Sequence, residues 1–246
     1  MNPAACTFAL CILLLNANPS PDVRSLIARL EARYRAPRTL EATFLERYTE
    51  SGKLVRVEAG TAYFRRPGKM RWEYASPEKN LFLVDGKNAW FYVPADHTVT
   101  RVPAKKSADW RTPLALLAGE MKLSRVCSKV EFASQQDVES SDNVMLQCEL
   151  RGEESGTEAA RDGGKTSGST PKTQDSVYLE VAENSGDLIR ILVKDSGGVG
   201  IEFRFANWLS DPPIGDSLFH FQVPPGVAIV NGELLAGQRA VNRGNP

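Results

Sequence analysis

The chain has 246 residues, room for one sizeable core or one domain with appendages. Its 30 Lys and Arg residues are cancelled by 30 Asp and Glu. No net field therefore draws it to nucleic acid or to anionic lipid.

The first segment, MNPAACTFALCILLLNANPSP, has no charged side chain and an apolar run from Ala4 to Leu15. That run falls short of the ~20 residues that span a bilayer. It fits the h-region of a secretory signal with cleavage after Ala17. Residues 1–17 are expected to be a signal peptide, and 18–246 a single exported domain. Cys6 and Cys11 leave with the signal. Cys127 and Cys148 stay behind in an oxidising compartment, where a disulfide and a pair of buried free thiols are both open readings.

Ser20-Pro21-Asp22 reads as N-cap, N1 and N2 of a helix. Val23, Leu26, Ile27, Leu30 and Tyr34 then form one apolar stripe, and Pro37 ends it. Beyond this point short alternating runs and tight turns dominate. Leu40, Ala42 and Phe44 alternate with Glu41 and Thr43. The stretch AYFRRPGKMRWEYASP, from Ala62 to Pro77, mixes basic and aromatic residues. Arg66-Pro67-Gly68-Lys69 is its turn. Met70, Trp72 and Tyr74 share one face of the second arm, and Arg71 and Glu73 share the other. Ala62 and Phe64 share parity with Arg66, which places Arg66 at the rim of the apolar face. The stretch is thus a hairpin with one apolar face rather than a nucleic-acid platform.

DGKN separates LFLV from AWFYV, NSGD separates VYLEV from LIRILV, and DSGG precedes VGIEFRF. This is turn chemistry of an antiparallel meander, without a residue-level internal repeat. SADWRTPLALLAG interrupts it: Thr112 caps, Pro113 opens and Gly119 stops a short helix that is apolar nearly all round. Such a helix must be buried or must cover something. Residues 152–175 contain no aromatic and no Val, Ile, Leu or Met. They are expected to form a disordered loop inserted between two strands of one sheet.

Catalytic chemistry finds little support. His97 falls in a turn and His220 in a strand, and no nucleophile, metal or phosphate-loop motif accompanies them. The Cys127 and Cys148 spacing suggests neither zinc nor a redox dithiol. No enzyme activity, cofactor or metal is expected.

Four segments together, RRPGKMRWEYASP, LVDGKNAWFYVP, TPLALLAG and FHFQVPPGVAIV, in that order and at suitable separations, resemble the LolA family of periplasmic outer-membrane lipoprotein carriers. The resemblance spans roughly residues 22 to 230 without the insert. It implies a mainly β fold, an incomplete and strongly curved antiparallel β-barrel whose apolar concave face is covered by short lid helices. It further implies a monomeric periplasmic chaperone that shelters the acyl chains of lipoproteins between the inner and outer membranes. An inner-membrane lipoprotein-releasing ABC transporter and an outer-membrane acceptor are the implied partners. The cavity lining expected on this basis is Leu40, Phe44, Phe64, Met70, Trp72, Tyr74, Trp90, Tyr92, Leu114, Leu116 and Leu117. Arg66 matches the family's arginine that latches the lid. In an unrelated β protein the same aromatics would be ordinary core. A lipid-binding or envelope-sensing module of this shape, or a carrier of another acylated molecule such as a glycolipid, satisfies the same residues.

Overall fold

A computed structural model describes residues 22–104, 117–118, 122–151, 176–194 and 197–231. The expected signal segment, most of the TPLALLAG helix and the 152–175 insert lie outside the described residues.

The N-terminal stripe folds as α1, Val23–Arg35. Its cap is Asp22 rather than Ser20: the Asp22 carboxylate accepts from the amides of Arg24 (3.3 Å) and Ser25 (3.2 Å). A carboxylate there satisfies two free N–H groups and complements the positive end of the helix dipole, which a serine hydroxyl does less well. Leu26, Leu30 and Tyr34 are buried, and Val23 and Ile27 pack beside them. Among the described residues a second α-helix, α2 (Leu123–Val126), is a single turn.

The strands among the described residues are β1 Thr39–Glu50, β2 Lys53–Arg65, β3 Lys69–Ser76, β4 Leu81–Val84, β5 Asn88–Val93, β6 Thr98–Pro103, β7 Cys127–Phe132, β8 Asn143–Leu150, β9 Ser176–Ala182, β10 Leu188–Lys194, β11 Val199–Ser210 and β12 Ala228–Asn231. They form one open, curved sheet in the order β12-β6-β5-β4-β3-β2-β1-β11-β10-β9-β8-β7. All neighbours are antiparallel except β12 and β6, which run parallel. β8 and β9, the strands on either side of residues 152–175, pair directly in one sheet.

One face of the sheet carries the main core. Leu40, Ala42 and Phe44 of β1, Ala62 and Phe64 of β2, Met70, Trp72 and Tyr74 of β3, and Ile201, Phe203 and Phe205 of β11 all belong to it, with the α1 stripe packed against them. Cys127 and Cys148 form a disulfide within the same core, Cα–Cα 5.5 Å. It ties the edge strand β7 to β8, and closing that loop contributes about 3 kcal/mol in the chain-entropy account.

The opposite face of β3–β6 holds a smaller cluster. Leu83, Val99 and Phe219 are buried outside the main core. The segment at 213–221 reaches them because it is pinned at several points: Arg65 donates to the Ile214 carbonyl (2.7 Å), Arg71 to that of Leu218 (3.1 Å), and Lys69 to Asp216 (2.7 Å).

Candidate functional site

The alternation of β1, β2 and β3 brings the expected lining together. In register, Leu40 faces Phe64, Phe64 faces Met70, Ala62 faces Trp72, and Gly60 stands between Phe44 and Tyr74. Cross-strand partners share a face of a sheet, so these side chains form one patch. Trp72 sits at its centre, 1% exposed. Its ring makes edge contacts with Phe44 (4.7 Å between centroids), Phe203 (5.3 Å), Phe64 (5.8 Å) and Phe205 (6.0 Å). Phe44 also meets Tyr74 at 5.1 Å. Aromatic pairs at such distances prefer this edge-on geometry. Gly60 makes room for it: a Cβ there would lie 1.9 Å from the Glu73 carbonyl oxygen and 3.0 Å from the Phe44 ring.

The patch turns polar toward the β1–β2 turn. Glu46 and Glu58 face each other across the strands, both nearly inaccessible. The Tyr74 hydroxyl donates to Glu46 (2.8 Å). Arg56 brings its Nε to 2.9 Å from Glu58 and one terminal nitrogen to 4.0 Å from Glu46. A cation placed between them offsets the repulsion of two opposed carboxylates at this depth. The same guanidinium lies over the Tyr48 ring at 5.3 Å.

Arg66 stands at the rim, as its parity suggests. Its guanidinium donates to the backbone carbonyls of Tyr34 (2.8 Å) and Pro37, so it holds the C-terminal end of α1. Carbonyls at that end are the ones a helix leaves without internal partners, at the negative end of its dipole. Burial pulls the Arg66 guanidinium below its ordinary pKa; Asp211 opposes this and Arg35 adds to it. At its other faces α1 is held by Arg33 to Asp187 (2.6 Å), by Arg29 to the Glu183 carbonyl, and by Glu31, which accepts from the Leu123 amide of α2 (2.9 Å).

Two expected residues lie elsewhere. Trp90 and Tyr92 point to the opposite face, where both pack on Phe221 at 5.5 and 5.6 Å. Phe91 and Ala89 take the core face of β5 instead. The reason is register: Phe82 pairs with Trp72 and with Phe91, so Trp90, beside Leu83, must face outward. Asp85 anchors that outer tryptophan, accepting from its indole N–H (2.9 Å) and from the amides of Lys87 and Asn88 (2.7 Å each). Leu117 is buried in the main core, whereas Leu114 and Leu116 lie outside the described residues. His97 and His220 are exposed. Among the described residues no group of three or more His, Cys, Asp or Glu side chains could hold a metal ion, and no helix is long and apolar enough to cross a membrane.

Sequence reasoning missed Phe203 and Phe205 in the patch, although Ile201, Phe203 and Phe205 alternate in VGIEFRF, a pattern that signals one buried face. It also missed Phe82, Phe91 and Trp208. Trp208 packs on Tyr34 (5.1 Å) and Phe205 (5.2 Å) near the end of α1.

Comparison with known proteins gives a consistent picture. The family described as outer membrane lipoprotein carrier protein LolA matches residues 36–147. An outer-membrane lipoprotein carrier protein of Chromobacterium violaceum is 29% identical over 87% of this chain and 91% of its own length. A protein of the same name from Nitrosospira multiformis is 27% identical over 92% of this chain and 96% of its own. Among solved structures, an uncharacterized conserved protein from Thermus thermophilus superposes with a TM-score of 0.50 at 12% identity, covering 85% of this chain and 98% of that one, which speaks to fold alone. The Arg-Pro hairpin and its aromatic face lie inside the matched region, so the chain is similar to the LolA family in the part that carries the patch, and to outer-membrane lipoprotein carrier proteins over most of its length.

Proposed function

We propose that this protein is a periplasmic carrier that shelters the acyl chains of lipoproteins and moves them from the inner to the outer membrane. The observation that carries the reading is the continuous patch of Leu40, Phe44, Phe64, Met70, Trp72 and Tyr74 on one face of an open sheet, in a chain similar to this family. Each CH2 kept from water is worth about 0.8 kcal/mol, so acyl chains need a dry shelter to cross an aqueous compartment. Release demands that the shelter open. Helix α1 packs its narrow apolar stripe into the same core and is secured by polar contacts, with Arg66 holding its C-terminal end. Arg66 acts as the latch: cargo that displaces the helix end breaks two hydrogen bonds to carbonyls that water can then satisfy. Leu117, buried in the same core, is the described residue of the TPLALLAG segment that supports a covering role. Loading from a lipoprotein-releasing ABC transporter and delivery to an outer-membrane acceptor complete the route.

The test incubates the purified chain, from residue 18 onward, with energised spheroplasts holding newly made lipoproteins. Acylated lipoprotein should appear in the soluble fraction in a one-to-one complex with this chain. Copurifying phospholipid or glycolipid without lipoprotein would replace the reading by a lipid-binding or sensing module. Soluble protein that remains empty would remove the carrier reading.

A further inference from the structure

The Trp72 indole N–H is buried and has no hydrogen-bond partner among the described residues. Its surroundings explain why. The rings around it, Phe44, Phe64, Phe203 and Phe205, offer only weak π acceptors. The nearest hydroxyl on its own strand, that of Tyr74, is engaged with Glu46. A water molecule would not settle the deficit, because a buried water needs two to four polar partners and the phenyl shell supplies none. A buried N–H left unpaired is unusual in a native interior and calls for an explanation. The other indole of the same arm shows the usual arrangement: Trp90 donates to Asp85 at 2.9 Å.

We infer that the Trp72 N–H is the donor for an ester carbonyl of the acylated cargo, fixing how deep the chains enter the aromatic patch. The inference rests on the carrier reading above and specifies its ligand chemistry. The donor sits among rings that receive methylene chains, so its acceptor must arrive attached to such chains. A fatty acid would bring a carboxylate into an apolar site, which is strongly disfavoured. An uncharged ester brings a good acceptor without a charge, and an ether oxygen in the same place accepts poorly. The unloaded protein carries the unsatisfied donor and cargo relieves it, so the hydrogen bond acts wholly in favour of the loaded state.

The experiment compares two probes on the full mature chain. One is a dipalmitoyl-glyceryl cysteinyl tetrapeptide with ester links, and the other is its dihexadecyl ether analogue. Binding is followed by isothermal calorimetry in wild type and in Trp72→Phe, which keeps an aromatic ring and removes the donor. Wild type should bind the ester probe about fivefold more tightly than the ether, the size expected of one hydrogen bond. In Trp72→Phe the ratio should fall to within about twofold, whatever happens to both affinities together. A second readout needs no variant: the Trp72 indole N–H resonance of wild type should shift with the ester probe and not with the ether. Equal affinities in wild type, or an ester preference that persists in Trp72→Phe, overturns the inference and leaves the carrier reading standing. Failure of wild type to bind either probe overturns both.

Discussion

Trp72 and Trp90 lie two strands apart in one arm of the sheet and are opposite in every physical respect. Trp72 faces the main core, is sealed by four phenylalanine rings and has an N–H with no partner among the described residues. Trp90 faces outward, is half-buried against Phe221, lies under Arg101 (5.6 Å), and donates to a carboxylate. The outer site is complete in itself: its ring is covered and its polar atom satisfied. The inner site is packed but chemically unfinished. A sheet that only needed two cores would satisfy both indoles, and the unfinished one is where a ligand has something to add.

The sharpest way to break this contrast is to empty each side in turn. Phe203→Ala removes a ring that is 1% exposed and touches Trp72. It should cost about 3–5 kcal/mol, the usual range for a buried phenylalanine. Phe221→Ala, on the half-buried outer cluster, should cost about 1 kcal/mol, because its site relaxes toward solvent. Urea unfolding at constant slope measures both. Equal losses would mean that the outer cluster is as much a core as the inner one.

The next effect concerns what holds the C-terminal end of α1. Arg66→Leu removes two hydrogen bonds from a guanidinium to the helix-end carbonyls and should lower stability by about 2 kcal/mol. Arg66→Lys keeps the charge but not the forked geometry and should recover only part of it. If Arg66 is a latch, Arg66→Leu still takes up acylated peptide but releases it at a changed rate. Uptake and release both equal to wild type, measured by stopped-flow transfer to vesicles, would reduce Arg66 to a helix cap.

How much of this could be read beforehand follows from the chemistry of each strand. In β3, Met70, Trp72 and Tyr74 alternate with Arg71 and Glu73, so the charged residues label the outer face and parity is unambiguous. The same labelling placed Arg66 at the rim. In β5 every residue from Ala89 to Val93 is apolar or aromatic, so alternation carries no label. Its facing was decided by the pairing of Phe82 with both Trp72 and Phe91, and by a segment from residues 213–221 that arrives to cover the outer side. Both are long-range facts that no local pattern contains. The Glu46 and Glu58 pair was hidden for a similar reason. Each glutamate reads locally as an exposed strand residue, and only the β1–β2 register shows them opposed with Arg56 between. The disulfide needed a distance. Cys127 and Cys148 as strand residues fit either state until β7 and β8 were brought into register.

The smallest effect is also the one that tests the outer tryptophan most directly. Burial works to raise the pKa of Asp85, but hydrogen bonds from the Asn88 amide, the Trp90 indole and the Lys87 amide outweigh it and bring it below its ordinary value of 3.8. A carboxylate whose folded pKa is depressed stabilises the fold above its unfolded pKa and loses that contribution as pH falls through the folded value. The Asp85 contribution is therefore fully present at neutral pH and fades below about pH 4. Asp85→Asn keeps the size of the side chain but replaces one accepting oxygen by an NH2 group, so one of the three donors loses its partner. The variant should be about 1 kcal/mol less stable than wild type at pH 7. The difference should shrink steadily as the pH is lowered below about 4, where wild type itself loses the ionised carboxylate. Unfolding measured across a series from neutral to acid pH checks the sign, and a difference that stays constant would mean that the outer indole is held by packing on Phe221 and not by Asp85. Trp72 has no such carboxylate bonded to its indole, so its environment should show no acid-labile step of this kind. Indole fluorescence of Trp72 alone, with the other tryptophans replaced by phenylalanine, should stay flat through the pH interval in which Trp90 alone responds.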